Sequence, residues 1–531
     1  MESVDRHVKI EVIEVIDKII DFLPTNDRAK AALVCRQWCD IVLPKIWRAV
    51  DLHSLLSLLV PLVSWITGDG KLMFETSLIN ANWERFHSRA RLVRALSWDD
   101  DNDDNTLDND VFAQILLHRP QVGPLLPVIT KLTWKANNDT TALQLLPMAS
   151  TSLKTLRLNI QGGCESSSLI NVLRGVSARG VKLSELRIET CHGVNEFENE
   201  LADIIADQQS LRSVGLPHYY GAARIVAALG SLPSLEEVSL TNWLWGGAGR
   251  NEWTFGVGAF LKLRAFSWNQ EILGQGVELL RSNIPPNLIN ISLTTSGPTD
   301  SIGLTAFVLL LATAIPRLES LSLCHFIDTN DFGDAKTFEA LEPLFACKDL
   351  RRLHISDNEP MVLWEGDVIK MANAWPSLCW LHLTPDPIDE ITEEVGATIA
   401  ILSVFGQSFA RLEHLGLYFR AVDSKSLDSS IFTLPTLHTL SVGTSPAADI
   451  NKSSYAAFLA GACPLGITIE AGRSSLSSPY TEDRENDRED ERANAERVWS
   501  EIGERIRGIH RFQTPLRYQL EMAKLGINGR A

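Results

Sequence analysis

The chain has 531 residues and a formal net charge of −17, from 66 acidic against 49 basic side chains. Its 45% hydrophobic and 22% charged residues match a soluble globular composition, and the acidic balance argues against non-specific nucleic-acid binding, which needs a basic face. The most apolar stretch, 52–66, is too short and too interrupted by His53, Ser54, Ser57, Pro61 and Ser64 to span a membrane.

In chain order, the N-terminal residues 1–9 are charged and lack a signal-peptide pattern. The eight cysteines are scattered with no Cys-x-x-Cys pair, so reduced thiols in the cytoplasm or nucleus are expected. Residues 8–50 read as short helices. Val12, Ile16, Ile19, Ile20 and Leu23 follow the spacing of one helix face, and Pro24 ends that helix. A second helix is expected from Asn26 or Asp27, either of which would cap it. It carries Ala31, Val34, Trp38 and Ile41 and is closed by Pro44. This is more apolar surface than so short a segment can bury, which points to a partner.

The stretches Glu14-Val-Ile-Asp-Lys-Ile-Ile-Asp-Phe-Leu23, Leu33-Val-Cys-Arg-Gln-Trp38 and Leu43-Pro-Lys-Ile-Trp47 resemble an F-box, an all-α module. The resemblance implies docking onto the Skp adaptor of an SCF-type ubiquitin ligase, and through it a cullin scaffold. By matching position, Ile16, Ile19, Ile20, Leu23, Leu33, Val34, Cys35 and Trp38 would form or support that contact. Glu11 and Val12 stand where the family usually has Leu-Pro. Residues 51–92 are expected to be a helical linker or N-terminal cap.

From Val93 onward a Leu-x-x-Leu-x-Leu pattern recurs. Clear copies are Leu153-Leu156-Leu158, Leu183-Leu186-Ile188, Leu235-Val238-Leu240, Leu318-Leu321-Leu323, Leu378-Leu381-Leu383 and Leu412-Leu415-Leu417. First positions at Val93, Ile129, Leu153, Leu183, Leu211, Leu235, Leu263, Leu288, Leu318, Leu350, Leu378, Leu412 and Leu437 give about 13 repeats, roughly 29 residues apart. A weaker copy follows at Ile467 and Ile469. The last two apolar residues of each copy share one face of a short strand, and helical spacing fills the segments between. Pro233, Pro286, Pro316, Pro376 and Pro435 each stand two residues before a first leucine, where they stop a helix and favour an extended backbone.

Residues 93–470 resemble the leucine-rich-repeat family. The fold implied is α/β, an irregular solenoid or horseshoe with a parallel concave sheet and outer helices. Irregularity is expected because Trp98, Trp134 and Trp268 replace the last leucine. The Asn or Cys expected three residues beyond it occurs only at Asn137, Cys191 and Asn358.

No motif for catalysis stands out. The glycines at 246–249 and 256–258 fit neither a phosphate loop nor a dinucleotide fingerprint. In the acidic run from Asp99 to Asp110, calcium-loop spacing is spoiled by Asp104 at the glycine position. No enzyme activity, cofactor or metal is therefore expected. Stacked repeats build binding surfaces. The strand positions beside the leucines should line the concave face, with Arg157, Asn159, Arg187 and Glu189 early and Ser239, Thr241, Ser267, Ser292 and Ser322 in the middle. Late in the array come Arg352, His354, Trp380, His382, His414 and Tyr418, one expected aromatic and basic patch for a protein substrate. Residues 471–531 form a charged tail in which Val498, Trp499, Ile502 and Ile506 mark a capping helix. The function expected from the resemblance is non-catalytic substrate recognition in an SCF-type ligase. A repeat scaffold with no ligase role is the other reading left open.

Overall fold

A computed structural model describes residues 13–64, 71–100, 106–121, 123–194, 197–217, 222–240, 255–270, 273–281, 283–295, 301–325, 337–357, 360–387, 396–420, 433–447, 451–472 and 489–524. Glu11, Val12, the acidic residues 101–105, Thr241, the glycines at 246–249, Asn358 and residues 473–488 lie outside them. The protein divides into two compact units, residues 1–253 with 258–262, and residues 254–257 with 263–531.

The first unit opens with three helices: α1 (13–22), α2 (Thr25–Ala31) and α3 (Arg36–Ile46). The second helix foreseen from sequence is thus two. Cys35 is extended, at φ −162° and ψ 169°, and breaks the run as the residue before α3. Neither Asn26 nor Asp27 caps α2, because the helix starts at Thr25 and the cap position is held by Pro24, at φ −56° and ψ 156°. Pro44 lies inside α3 and does not close it. So near the C-terminal end, its missing N–H costs one helical bond, and Trp47 N still donates to Leu43 O at 3.0 Å.

Strand β1 (Ala49–Asp51) follows, then a hairpin of β2 (Leu62–Ser64) and β3 (Leu72–Phe74). The segment expected to be a helical linker therefore holds strands as well as the short helices Leu52–Leu56 and Trp83–Ala90. Then come β4 (Ala95–Asp99), β5 (Lys131–Ala136), β6 (Thr155–Ile160), β7 (Glu185–Thr190), β8 (Ser213–Leu216) and β9 (Glu237–Leu240). All run parallel to β1: β4 pairs with β1, and each later strand lies beside the one before it, with helices or turns between.

The second unit repeats the arrangement with β10 (Ala265–Gln270), β11 (Asn290–Thr295), β12 (Ser320–His325), β13 (Arg352–Ser356), β14 (Trp380–Leu383), β15 (His414–Leu417), β16 (Thr439–Gly443) and β17 (Thr468–Ala471). These too are parallel and in sequence order.

The leucine pattern explains the register. Leu132, Leu156 and Leu186 stand side by side on β5 to β7, as Leu293, Leu323, Ile355, Leu383 and Leu417 do on β11 to β15, all buried. Each contributes about 1.5–3 kcal/mol by leaving water. One backbone device recurs at the strand entrances: a carbonyl accepts from two successive N–H groups of the next repeat. Glu319 O accepts from Arg351 N and Arg352 N at 2.8 and 3.1 Å, and Arg351 O from Cys379 N and Trp380 N at 2.9 and 3.1 Å.

The prolines have a sharper role than stopping helices. Pro286, Pro316, Pro376 and Pro435 are the second residues of four-residue turns closed by Leu288 N, Leu318 N, Leu378 N and Leu437 N at 3.1–3.2 Å. Proline's fixed φ suits that position.

At the C-terminal end, helix Glu489–Lys524 lies on helix Lys452–Ala462 and β17. Val498, Trp499, Ile502 and Ile506 are buried. Trp499 Nε1 donates to Ser445 O at 2.9 Å, and its ring stacks on Tyr455 at 5.8 Å. Among the described residues no helix is long and apolar enough to cross a membrane.

Candidate functional sites

Helix α1 carries two apolar stripes. Ile16 and Ile20 turn inward and form a small core with Ala31 and Val42, against which Leu23, Trp38, Ile41 and Ile46 pack. Val15, Ile19 and Phe22, spaced i, i+4 and i+7, lie exposed on another face, Phe22 at 88%. In the turn after α2, Leu33 and Val34 are exposed at 85% and 65%, and Cys35 is exposed as well. The eight residues marked from sequence therefore divide. Ile16 and Ile20 are internal and cannot touch a partner; Leu23 and Trp38 are half-buried supports; Ile19, Leu33, Val34 and Cys35 are free to make contact. Val15 and Phe22, exposed beside Ile19, are not among the eight, although their spacing in the sequence is that of a second stripe.

Polar side chains fix α1 in place. Arg28 donates from Nε to Ile20 O at 3.0 Å and from Nη2 to Asp21 O at 2.9 Å, satisfying carbonyls that a helix end leaves open. Lys45 on α3 donates to Asp17 O at 2.8 Å and pairs with Asp17 Oδ1 at 2.8 Å and Asp21 Oδ1 at 2.5 Å. Burial works against the Lys45 ammonium, but its bonds to Asp17 and Asp21 outweigh it and raise its pKa above the ordinary lysine value. The Lys45 hydrogen bond, in turn, lowers that of Asp21.

The second candidate lies on the strands of the second unit, on the face turned away from the leucines. Register places Arg352, Trp380 and His414 side by side on β13, β14 and β15, and Ser322, His354, His382 and Gly416 side by side on β12 to β15. Trp380 and His414 stack at 3.6 Å with their planes 6° apart. His354 and His382 lie 4.5 Å apart, and His382 and His414 6.0 Å. Ser322 Oγ and His354 Nδ1 share a hydrogen bond at 3.2 Å. His382 has room because residue 416 is glycine: a Cβ there would sit 3.1 Å from the imidazole. Tyr418 lies beyond the end of β15, and its ring fills the space beside Gly396.

The basic character expected here resides in Arg352 alone. Burial pushes the His354 and His414 imidazoles down to about 4. Burial, followed by the nearby His354 and His414, pushes His382 lower still. All three are neutral near pH 7. His382 is 3% exposed and His414 6%. Among the described residues, both ring nitrogens of His382 and Nε2 of His414 are buried without a hydrogen-bond partner. Among the described residues no cluster of His, Cys, Asp and Glu has the arrangement of a metal site.

Residues 13–53 match the family model described as F-box-like, so the three-helix segment is an F-box-like domain. No curated protein matches this sequence. Among solved structures, the protein is similar to one in the crystal structure of the Rad7 and Elc1 complex in yeast. The identity is 15% and the TM-score 0.34, over 63% of this chain and 72% of that one. That likeness is too slight to carry a property across.

Proposed function

We propose that this protein is a non-catalytic substrate-recognition subunit of an SCF-type ubiquitin ligase. It docks on a Skp-type adaptor, and so on a cullin scaffold, through the F-box-like domain, and it holds a protein substrate on the strand face of its leucine-rich repeats. One observation carries the reading. A segment that matches the F-box-like family exposes Val15, Ile19, Phe22, Leu33 and Val34 while keeping its own core of Ile16, Ile20 and Val42 closed. Apolar side chains of this size, left in water on a folded module, call for a partner. The subunit's contribution to ubiquitin transfer is proximity, a raised effective concentration of substrate near the charged enzyme.

The test is capture of a Skp-type adaptor by the full-length protein. Phe22→Asp is expected to weaken capture at least about thirtyfold, as loss of a buried aromatic anchor does, with the circular dichroism spectrum unchanged because Phe22 lies outside the domain core. Ile20→Asp is unsuitable, since it would open that core. Failure of the wild-type protein to capture adaptor, or undiminished capture by Phe22→Asp, would overturn the reading.

A further inference from the structure

We infer that the Arg352–Trp380–His414–His382 face receives an acidic segment of a partner protein, held by the carboxylate of an Asp or Glu side chain. This rests on, and deepens, the reading that the strand face holds substrate. Three observations converge. The first is the buried imidazoles. Polar atoms at this depth are nearly always satisfied, yet three ring nitrogens of His382 and His414 have no hydrogen-bond partner among the described residues. In either tautomer His382 presents one N–H, and His414 does so at Nε2 in one of its two. These are donors without an acceptor.

The second is charge. The protein has a net charge of −17, but on β10 to β16 the positions beside the buried leucines include no Asp or Glu. They are Ala265, Ser267, Asn269, Asn290, Ser292, Thr294, the residues of the two rows named above, and Ser320, Cys324, Ser356, Thr439 and Ser441. Arg352 is exposed and has no ion pair among the described residues. The first unit shows what happens to arginines on such a face when carboxylates are supplied from within: Arg157 and Arg187 both pair with Glu185, at 2.7 and 3.2 Å.

The third is the aromatic wall. Trp380 is half-buried and lies flat on His414, so it stands between that imidazole and solvent and offers an indole face to the apolar part of the ligand. A single guanidinium beside neutral imidazoles balances one negative charge. That fits a carboxylate better than a doubly charged phosphoryl group.

The test uses short arrayed peptides of varied sequence in three sets, with Glu, Gln or phosphoserine at the central position, bound to the full-length protein and followed by fluorescence anisotropy. Glu peptides should bind about tenfold tighter than their Gln counterparts. Arg352→Gln, an exposed change that leaves the fold intact, should abolish that preference, and Arg352→Lys should retain part of it. His382→Phe should weaken Glu peptides and spare Gln peptides. Equal capture of the Glu and Gln sets, best capture of the phosphoserine set, no capture, or a preference surviving Arg352→Gln would each overturn the inference. Adaptor capture is measured on the same preparations. Its loss in Phe22→Asp leaves peptide binding untouched, so failure of the ligase reading and failure of this one are told apart.

Discussion

On the first unit's strands, Arg157 and Arg187 both reach Glu185, Arg187 also reaches Glu237 at 3.6 Å, Lys135 pairs with Asp99 at 3.3 Å, and Asn159 donates to Glu189 at 2.8 Å. On the second unit's strands the same face holds Arg352 with no ion pair and three imidazole nitrogens with no hydrogen-bond partner among the described residues. The leucine register beneath is alike in both. The difference shows that the repeat determines where side chains stand and leaves open whether they satisfy one another. The first face pairs its own charges, whereas the second leaves Arg352 and three imidazole nitrogens to the ligand proposed above.

The comparison can be strained by acid, where the largest effect is expected. The His354 pKa is about 4 in the fold against the ordinary 6.5. As pH falls, the unfolded protein takes up the proton first, so this stability is complete above pH 6.5 and is lost from there down to pH 4. Glu185 behaves otherwise. Burial raises its pKa, but Arg157 and Arg187 outweigh burial and hold it below the ordinary 4.5. Its contribution persists at pH 5 and is lost only further down. His382 and His414, also held down by burial, lose stability over the same range, so urea unfolding at pH 7 and pH 5 should show a loss that is smaller by about 2 kcal/mol in His354→Gln. An equal loss in the variant would break the contrast.

A smaller effect comes from two glycines in matching surroundings. Gly215 stands beside Arg187 and Gly416 beside His382, and a Cβ at either would come within 3.1 Å of its neighbour. The Arg187 stem is half-exposed and can swing away, whereas the His382 ring is enclosed. Gly416→Ala should cost about 1 kcal/mol or more through overpacking, and Gly215→Ala should stay within about 0.5 kcal/mol of wild type. Thermal melts of both variants decide it.

A small effect should also come from Glu185→Gln, which loosens partly exposed ion pairs worth at most about 1 kcal/mol. Its interest lies in binding: with Arg157 and Arg187 released, the first unit's face should begin to take acidic peptides, and no gain would mean that released arginines alone do not make such a site.

Much of this was legible in the residues alone. The thirteen leucine triplets gave the parallel strands and their register, because a two-residue period puts the last two apolar side chains on one face, and burying that face repeatedly forces the same alignment. The same reasoning placed Arg352 beside Trp380 and His354 beside His382. β1 was missed, although Trp47, Val50 and Leu52 keep the spacing, because helix signals surround them. On α1, periodicity revealed one stripe, and a second, equally regular one went unread. Choosing which stripe faces inward takes the positions of α2 and α3, set by the extended Cys35 and by Lys45 and Arg28 binding α1.

By itself, then, the sequence determined the repeat, the strand face and the candidates upon it, since local periodicity and turn chemistry are written residue by residue. Only the tertiary structure decided which of them are enclosed. It buried Ile16 and Ile20 and left Phe22 in water, and it neutralised three histidines that read as basic. Burial and its effect on charge depend on neighbours distant in the sequence, and no local pattern records them.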